Sequence, residues 1–235
     1  MSERFARSEA LLGEAAMARL KAARVLVVGV GGVGSWCAEA LVRTGVGKIT
    51  LIDDDVVAES NVNRQCPATT ETIGRAKVEA MAERLRAINP GCEVRASCSR
   101  FSRGSSIEGF DVVVDAIDSV DCKVELILKA TEAGVPLVSS MGAALRTDPT
   151  KVKVTRFEKV EGDGLAKALR QRFKKLGRFP AVKFSCVWST EQAIEQSNNQ
   201  NNRTMPKGSL MPVTATFGMC LASETIKILT KGEAK

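Results

Sequence analysis

The chain has 235 residues, of which 44% are hydrophobic and 26% charged, and its formal net charge is +7. These values are typical of one globular domain with a full core, and the charge only weakly favours a polyanionic partner. No apolar run approaches the ~20 residues that span a membrane. The first 24 residues contain no apolar signal core, so we expect a cytoplasmic protein without a membrane span.

Cysteine and histidine usage restricts the chemistry. The seven cysteines are scattered singly without a C-x-x-C pair, which favours free thiols and indicates that no zinc is bound. The chain has no histidine, so catalysis must depend on carboxylates, lysines, arginines, cysteines or positioning. Cys186 follows an apolar run, and either of two roles fits it: a reactive thiol or a buried core residue.

Residues 1–24 are predicted to form a helical arm that packs on the domain or on a partner. Apolar side chains recur through this arm at roughly helical spacing. They are Phe5, Leu11, Leu12, Ala16 and Leu20.

A glycine-rich motif follows the first predicted strand. Residues 25–28 are apolar and β-branched, which is typical of a strand buried on both faces. A G-x-G-x-x-G motif comes directly after this strand, and such glycines allow the backbone to approach a phosphate at a helix N-terminus. Its glycines are Gly29, Gly31 and Gly34, with Gly32 between them.

The next two elements complete a nucleotide-binding unit. Residues 35–44 are predicted to form a helix that ends at Gly45, and residues 49–52 form the second strand. Asp53 follows that strand, where Rossmann-type units place the carboxylate that holds a ribose.

Strands and helices alternate as far as residue 140, which predicts an α/β fold with a Rossmann-like, doubly wound, mostly parallel sheet. We expect an ATP-binding domain over 25–150 and a C-terminal extension of it over 151–235, with a mobile loop at 191–209. Further helices are predicted over 73–88, 123–133, 165–176 and 213–229, and further strands over 93–96, 111–116, 136–140, 151–157 and 181–188.

Polar residues of several segments are expected to surround the nucleotide. They are Asp53, Asp55, Asn61, Arg64, Gln65, Lys77 and Asp118. Arginine and lysine suit a triphosphate better than a nicotinamide, although the glycine motif alone more often marks a dinucleotide site such as one for NAD. Two simpler interpretations remain: Arg64 and Lys77 as surface charges, and Asp118 as a helix N-cap.

At these positions the chain resembles the ubiquitin-activating-enzyme-like adenylating family. The matching segments are 29–35, 51–55, 60–65, 74–77 and 115–119, together with Arg-Phe-Ala-Arg at 4–7. The resemblance implies that Asp53 holds the ATP ribose near Asp55 and Asn61, that Arg64, Gln65 and Lys77 bind the phosphates, and that Asp118 binds Mg²⁺. It also implies a homodimer in which Arg7 reaches the phosphates of the partner subunit.

Within that family, the segments 32–36, 115–120, 186–191 and 213–218 resemble the tRNA threonylcarbamoyladenosine dehydratase branch. The resemblance implies ATP-dependent adenylation of the threonine carboxylate on a modified tRNA adenosine, followed by cyclisation with net loss of water. It leaves open whether a sulfurtransferase-type protein docks on the chain. Two alternatives remain: adenylation of a sulfur-carrier or ubiquitin-like protein tail, and nucleotide binding without catalysis.

The predicted helix at 165–176 is strongly basic. Between Gly164 and Glu191 the chain has seven basic residues and no acidic one. This segment is either a tRNA-binding surface or a solvated helix face. The residues expected to contact tRNA are Lys167, Arg170, Arg172, Lys174, Lys175 and Arg178, and Lys183 follows them.

Overall fold

A computed structural model describes residues 3–195 and 207–231 of the chain. Seven strands form one sheet: β1 (Arg24–Val28), β2 (Lys48–Asp53), β3 (Glu93–Cys98), β4 (Val112–Asp115), β5 (Leu137–Ser140), β6 (Val152–Arg156) and β7 (Ser185–Ser189). Their order is β3-β2-β1-β4-β5-β7-β6, and each neighbouring pair is parallel except the antiparallel pair β6–β7. The predicted Rossmann-like, mostly parallel sheet is therefore confirmed.

Helices cover both faces of the sheet. They are α1 (Ala6–Leu12), α2 (Glu14–Ala22), α3 (Gly34–Thr44), α4 (Lys77–Ile88), α5 (Val120–Glu132), α6 (Gly164–Leu176) and α7 (Met211–Thr230). Short 3₁₀ helices lie at Glu3–Phe5, Glu59–Asn61, Pro149–Lys151 and Phe157–Lys159. Within residues 3–195 and 207–231, no helix has the length and apolarity to cross a bilayer.

Strand β1 shows why the central strands lack a polar face. Val25 and Val27 belong to the core under α2, α3, α4 and α7, whereas Leu26 and Val28 belong to the core under α5 and α6. Successive side chains of a strand point to opposite faces, so a strand covered on both faces needs a continuous apolar run. The sequence meets this requirement at residues 25–28.

The turn from β1 into α3 requires glycine at two positions. Gly29 has a φ of +90°, and a Cβ there would lie 2.6 Å from the Ala116 carbonyl oxygen of the neighbouring loop. A Cβ on Gly34 would lie 1.9 Å from the Gly29 carbonyl oxygen. The helix can therefore start directly against the strand end only with these residues.

Two predicted helix starts are wrong. The helix expected from Ile73 begins at Lys77, because Gly74 adopts a φ of +86° and Ala76 pairs with Val56 in an isolated β-bridge. The helix expected from Lys123 already begins at Val120, and the backbone N–H of Lys123 donates to the Ser119 carbonyl as part of its first turn.

Other element bounds also differ from expectation. The N-terminal arm is two helices rather than one, separated at Gly13 with a φ of +82°. Its Leu11 is 84% exposed, while Leu20 is fully buried. The strand expected from Ala181 begins at Ser185, because the Ala181 N–H bonds to the Thr131 hydroxyl of α5 instead of to a strand.

The loop predicted at 191–209 lies partly outside the described residues, which omit 196–206. Its described flanks are attached to the segment after β5. The Ile194 N–H donates to the Leu145 carbonyl and the Leu145 N–H donates to the Gly208 carbonyl, both at 2.8 Å. Leu145 has a φ of +62°, an uncommon conformation for a branched residue.

Candidate active site

A cleft of about 1020 Å³ opens at the carboxyl ends of the parallel strands. Ligands bind at this edge in open α/β sheets, because loops from several strands converge there. The cleft is lined by the β1–α3 glycine loop, the ends of β2, β4 and β5, the first turns of α5 and α6, and Thr214 of α7. Its volume suits a nucleotide together with a second reactant.

The glycine loop is attached to the end of β2 by Asp53. One carboxylate oxygen of Asp53 accepts the Val30 N–H at 2.6 Å, and the other accepts the Asp55 N–H at 2.9 Å. Burial raises the pKa of Asp53, although both N–H donors and the nearby Lys77 lower it in part. Asp53, Gly29, Gly31 and Gly32 line the cleft, whereas Gly34 packs α3 against β1.

Lys77 and Asp55 form an ion pair at the cleft wall. Lys77 Nζ lies 2.6 Å from Asp55 Oδ2, with the lysine side chain 7% exposed and the aspartate side chain 67% exposed. The Lys77 N–H also donates to the Asp55 carbonyl at 3.0 Å. The first residue of α4 is thereby held beside the glycine loop with its ammonium group at the cleft.

The loop after β2 brings Arg64 and Gln65 to the same cleft. Trp36 Nε1 donates to the Arg64 carbonyl at 2.9 Å, and the Arg64 guanidinium donates to the Ser60 carbonyl and to Asn63 Oδ1. Gln65 is buried, and its Oε1 has no hydrogen-bond partner among the described residues. A buried polar atom without a partner is costly, which is a feature expected of a binding site.

Asn61 is placed differently from the expectation. It does not appear among the described residues that line the cleft. Its Oδ1 accepts the Ala58 N–H at 3.0 Å, and its carbonyl accepts the N–H groups of Arg64 and Gln65. Asn61 therefore shapes the loop that carries the two cleft residues.

Asp118 lies exposed in the cleft, in the turn between β4 and α5. Ser119 occupies the N-cap position of α5, so the interpretation of Asp118 as the N-cap is wrong. Three further carboxylates gather at the end of β2, since Asp53, Asp54 and Asp55 place oxygen atoms within 4.8 Å of one another. Carboxylate oxygens are the ligands that Mg²⁺ prefers.

Arg7 and the basic side chains of α6 are not among the described residues that line this cleft, although the first turns of α6 do line it. Arg7 is exposed on α1. On α6 the arginines are engaged within the chain: Arg170 donates to the Phe157 and Val160 carbonyls, and Arg172 pairs with Asp121 at 2.9 Å. Arg178 pairs with Glu132 at 2.8 Å.

The lysines of the basic segment, unlike Arg172 and Arg178, do not form ion pairs among the described residues. Each of them is exposed and has no ion pair with the rest of the chain that the structure describes. They are Lys167, Lys174, Lys175 and Lys183. Their charges therefore remain available to an anionic partner.

Cys186 is the second residue of β7 and is fully buried. Burial raises the pKa of its thiol, which disfavours the nucleophilic thiolate. Cys186 is also absent from the described cleft lining. Of its two interpretations, the structure favours a core residue.

Two cleft arginines were not anticipated from the sequence. Arg146 is buried and lies 3.2 Å from Asp163, which also caps α6 through the Ala166 N–H. Arg100 is exposed in the cleft, and its Nε donates to Cys122 Sγ at 3.3 Å. Neither arginine belongs to a short motif, because each meets its partner only through the tertiary fold.

A buried acidic residue supports the Arg64 loop. Glu39 of α3 accepts hydrogen bonds from Arg43 at 2.8 Å, from Arg84 at 2.5 Å and from the Cys66 thiol at 2.8 Å. Cys66 directly follows Gln65, and its N–H bonds to the Ser35 hydroxyl. Glu39 therefore connects the loop that carries Arg64 and Gln65 to both α3 and α4.

Comparison with known proteins defines the family. The model described as "ThiF family" matches residues 5–235. The chain belongs to the ThiF family. The resemblance inferred from the glycine loop, Asp53, Arg64, Lys77 and Asp118 is thereby confirmed at the level of the family.

Named ThiF-family relatives match almost the whole chain. The tRNA threonylcarbamoyladenosine dehydratase of Escherichia coli K12 is 40% identical, and the match covers 96% of this chain and 92% of that protein. The protein of the same name from Bacillus subtilis 168 is 36% identical, and the match covers 98% of this chain and 96% of that protein. The crystal structure of the E. coli tRNA N6-threonylcarbamoyladenosine dehydratase TcdA in complex with ATP superposes with a TM-score of 0.87 at 40% identity, covering 97% of this chain and 93% of that one.

Proposed function

We propose that this chain is an ATP-dependent tRNA threonylcarbamoyladenosine dehydratase. The observation that carries the proposal is the near full-length similarity to the dehydratases of two bacteria. The crystal structure of one of these enzymes, from E. coli, contains bound ATP. The cleft agrees with this function, since it combines a phosphate-type glycine loop with cationic and carboxylate side chains.

ATP would bind along the glycine loop. The Asp53 carboxylate accepts the ribose hydroxyls, and the N–H groups at the start of α3 face the phosphates. Arg64, Gln65 and Lys77 reach the same side and neutralise or hydrogen-bond the phosphate oxygens. Lys77 would then exchange part of its contact with Asp55 for phosphate.

The reaction would proceed in two steps that need no histidine. An oxygen of the threonine carboxylate attacks the α-phosphorus of ATP, and pyrophosphate leaves to give the acyl adenylate. An internal nucleophile of the same nucleoside then attacks the acyl carbon, loses its proton and expels AMP, so that the net change is the loss of water. Arg64 and Lys77 stabilise the charge that develops on the leaving pyrophosphate, while the tethered nucleophile is already positioned.

Magnesium would be held by Asp118, on the side of the cleft where the β4–α5 turn ends. A divalent cation supplies charge neutralisation for the phosphate oxygens. The carboxylates of Asp53, Asp54 and Asp55 fit the same hard cation, because they gather oxygen ligands at one place.

The assembly and partners belong to the same proposal. The protein would act in the cytoplasm as a homodimer, with Arg7 reaching the phosphates in the partner subunit's cleft. The tRNA would contact α6 mainly through Lys167, Lys174 and Lys175, because the arginines of that segment already bond within the chain.

Mass spectrometry of tRNA nucleosides tests the proposal directly. Incubation of tRNA containing threonylcarbamoyladenosine with ATP and this protein should lower the nucleoside mass by one water. Arg64→Ala and Asp118→Ala should abolish the change, whereas Arg95→Ala, an exposed control on β3, should leave it intact. Unchanged tRNA, combined with pyrophosphate exchange that depends on a diglycine-tailed carrier protein, would replace this function by carrier adenylation.

A further inference from the structure

A fully buried ion pair lies beneath the cleft. Lys123 Nζ of α5 lies 2.9 Å from Asp115 Oδ2 of β4, and neither side chain has any exposed surface. The Ser139 hydroxyl of β5 donates to the same Asp115 oxygen at 2.7 Å. These residues are not among the described residues that line the cleft. Because the cost of desolvating two charges largely offsets their attraction, stability alone explains such a pair poorly.

The remaining contacts of the pair show what it holds. The second oxygen of Asp115 accepts the Ile117 N–H at 3.1 Å, and Lys123 Nζ donates to the Ile117 carbonyl at 2.9 Å. Both backbone polar groups of Ile117 are thus bonded to the pair. The next residue is Asp118, and residues 116–118 form part of the cleft wall.

We infer that Lys123 and Asp115 are positioning residues for the reaction. Together they fix the turn at residues 116–118 from below and so set the direction in which the Asp118 carboxylate enters the cleft. Neither residue contacts a substrate, and the inference rests on the proposed function only where Asp118 acts in catalysis. A catalytic group displaced by about 1 Å loses about 10²-fold in rate, so support of this kind is functionally decisive.

The variants must separate positioning from stability. Lys123→Met alone leaves the Asp115 charge buried without its partner, which destabilises the fold. The double variant Asp115→Asn/Lys123→Met removes both charges, so it should regain thermal stability over the single variant. It still lacks the donor to the Ile117 carbonyl, so the turn keeps at most one of its two supports, the bond from the Ile117 N–H to residue 115.

Leu85→Ala serves as a control for stability. Leu85 is fully buried in α4 and belongs to the core on the other face of the sheet. This substitution removes core packing without changing any contact of residues 115–118. A general loss of stability should therefore appear in this variant as well.

Two measurements on the full chain decide the matter. In steady-state dehydration of tRNA, Lys123→Met and the double variant should lose about 10²-fold in kcat, with KM for ATP changed less than about threefold. In hydrogen exchange followed by mass spectrometry, a peptide covering 116–119 should exchange faster in Lys123→Met and in the double variant than in wild type. Leu85→Ala should keep wild-type kcat and wild-type exchange at residues 116–119.

Other results would overturn the inference. Wild-type kcat and wild-type exchange at 116–119 in the double variant would show that the pair serves stability only. Faster exchange spread evenly over the chain, rather than concentrated at residues 116–119, would show the same. If the wild-type protein dehydrates no tRNA, the proposed function fails, and the exchange of residues 116–119 still decides whether the pair holds the turn.

Discussion

At the scale of single residues, Glu39 shows how a buried carboxylate is kept charged. Burial by itself would raise its pKa, but hydrogen bonds from Arg84, Cys66 and Arg43 outweigh burial and lower the pKa to about 2. The pKa of the Cys66 thiol is raised to about 12, first by burial and then by Glu39. Cys66 therefore stays protonated at neutral pH and donates to Glu39.

This shift predicts a pH-dependent contribution to stability. The folded pKa lies below the ordinary value of 4.5, so the contribution is complete above about pH 5 and declines as the pH falls towards 2. The contribution of Glu39 to the free energy of unfolding is at most about 3 kcal/mol. Urea unfolding should show a large stability difference between wild type and Glu39→Gln at pH 6 and a smaller one at pH 3. A difference that stays constant over this range would contradict the assignment.

Lys77 carries a second prediction at this scale. Its ammonium is almost buried against Asp55, so it is held in place before any nucleotide arrives. Removal of a positioned cation that stabilises developing charge should cost about 10²-fold in rate. Lys77→Met should therefore lower kcat/KM for ATP by about that factor, whereas Lys21→Met, on the exposed face of α2, should behave as wild type. Equal kinetics for the two variants would remove Lys77 from the mechanism.

At the scale of elements, the basic segment at α6 separates its arginines from its lysines. The arginines bond to backbone carbonyls or to acidic residues of α5, while the lysines remain exposed. The sequence could not reveal this division, because Asp121 and Glu132 lie on another helix. The sequence correctly indicated a basic surface. It assigned three of the six residues, the arginines, to tRNA contact without knowledge of their partners within the chain.

The division predicts unequal effects on tRNA affinity. Lys167→Ala/Lys174→Ala/Lys175→Ala should weaken tRNA binding, and the slope of log K against log salt should become shallower by about 0.7–0.9 for every phosphate that is no longer neutralised. The control Lys21→Ala/Lys48→Ala/Lys231→Ala removes the same number of exposed charges elsewhere. If the two triple variants give the same affinity and slope, α6 is only a solvated face.

Element types were predictable to the extent that local sequence determines them. The continuous apolar run at 25–28 and the glycines after it specify the strand and the turn by local geometry alone. The start of α4 was mispredicted because the helical spacing of Val78, Met81, Leu85 and Ile88 was extended back to Ile73. The Val56–Ala76 bridge and the φ of Gly74 prevent a helix before Lys77. Tertiary pairing there overrides local preference.

At the scale of the whole molecule, the site is a product of the strand order. Asp53 and Asp118 are far apart in the chain, but β2, β1 and β4 are consecutive in the sheet, so both residues reach the same edge. A parallel α/β sheet made that convergence predictable from the sequence. The supports beneath it, Lys123 and Glu39, were not predictable, since buried charges follow no short motif.

Arg7 provides a prediction about the assembly. It lies exposed on α1, apart from the residues that line the cleft of its own chain. In the proposed homodimer it completes the partner subunit's site, so Arg7→Ala and Arg64→Ala should each be inactive alone. When the two variants are unfolded together and refolded as a mixture, half of the dimers should be mixed.

In each mixed dimer, the site of the Arg7→Ala chain retains its own Arg64 and receives Arg7 from the other chain. The second site lacks both residues. The mixture should therefore recover about a quarter of wild-type dehydratase activity, as symmetric exchange between two subunits requires. Recovery should vanish when the variants are kept separate. If Arg7 acted within its own chain, every site in the mixed dimer would lack one arginine, and no activity would return at any mixing ratio.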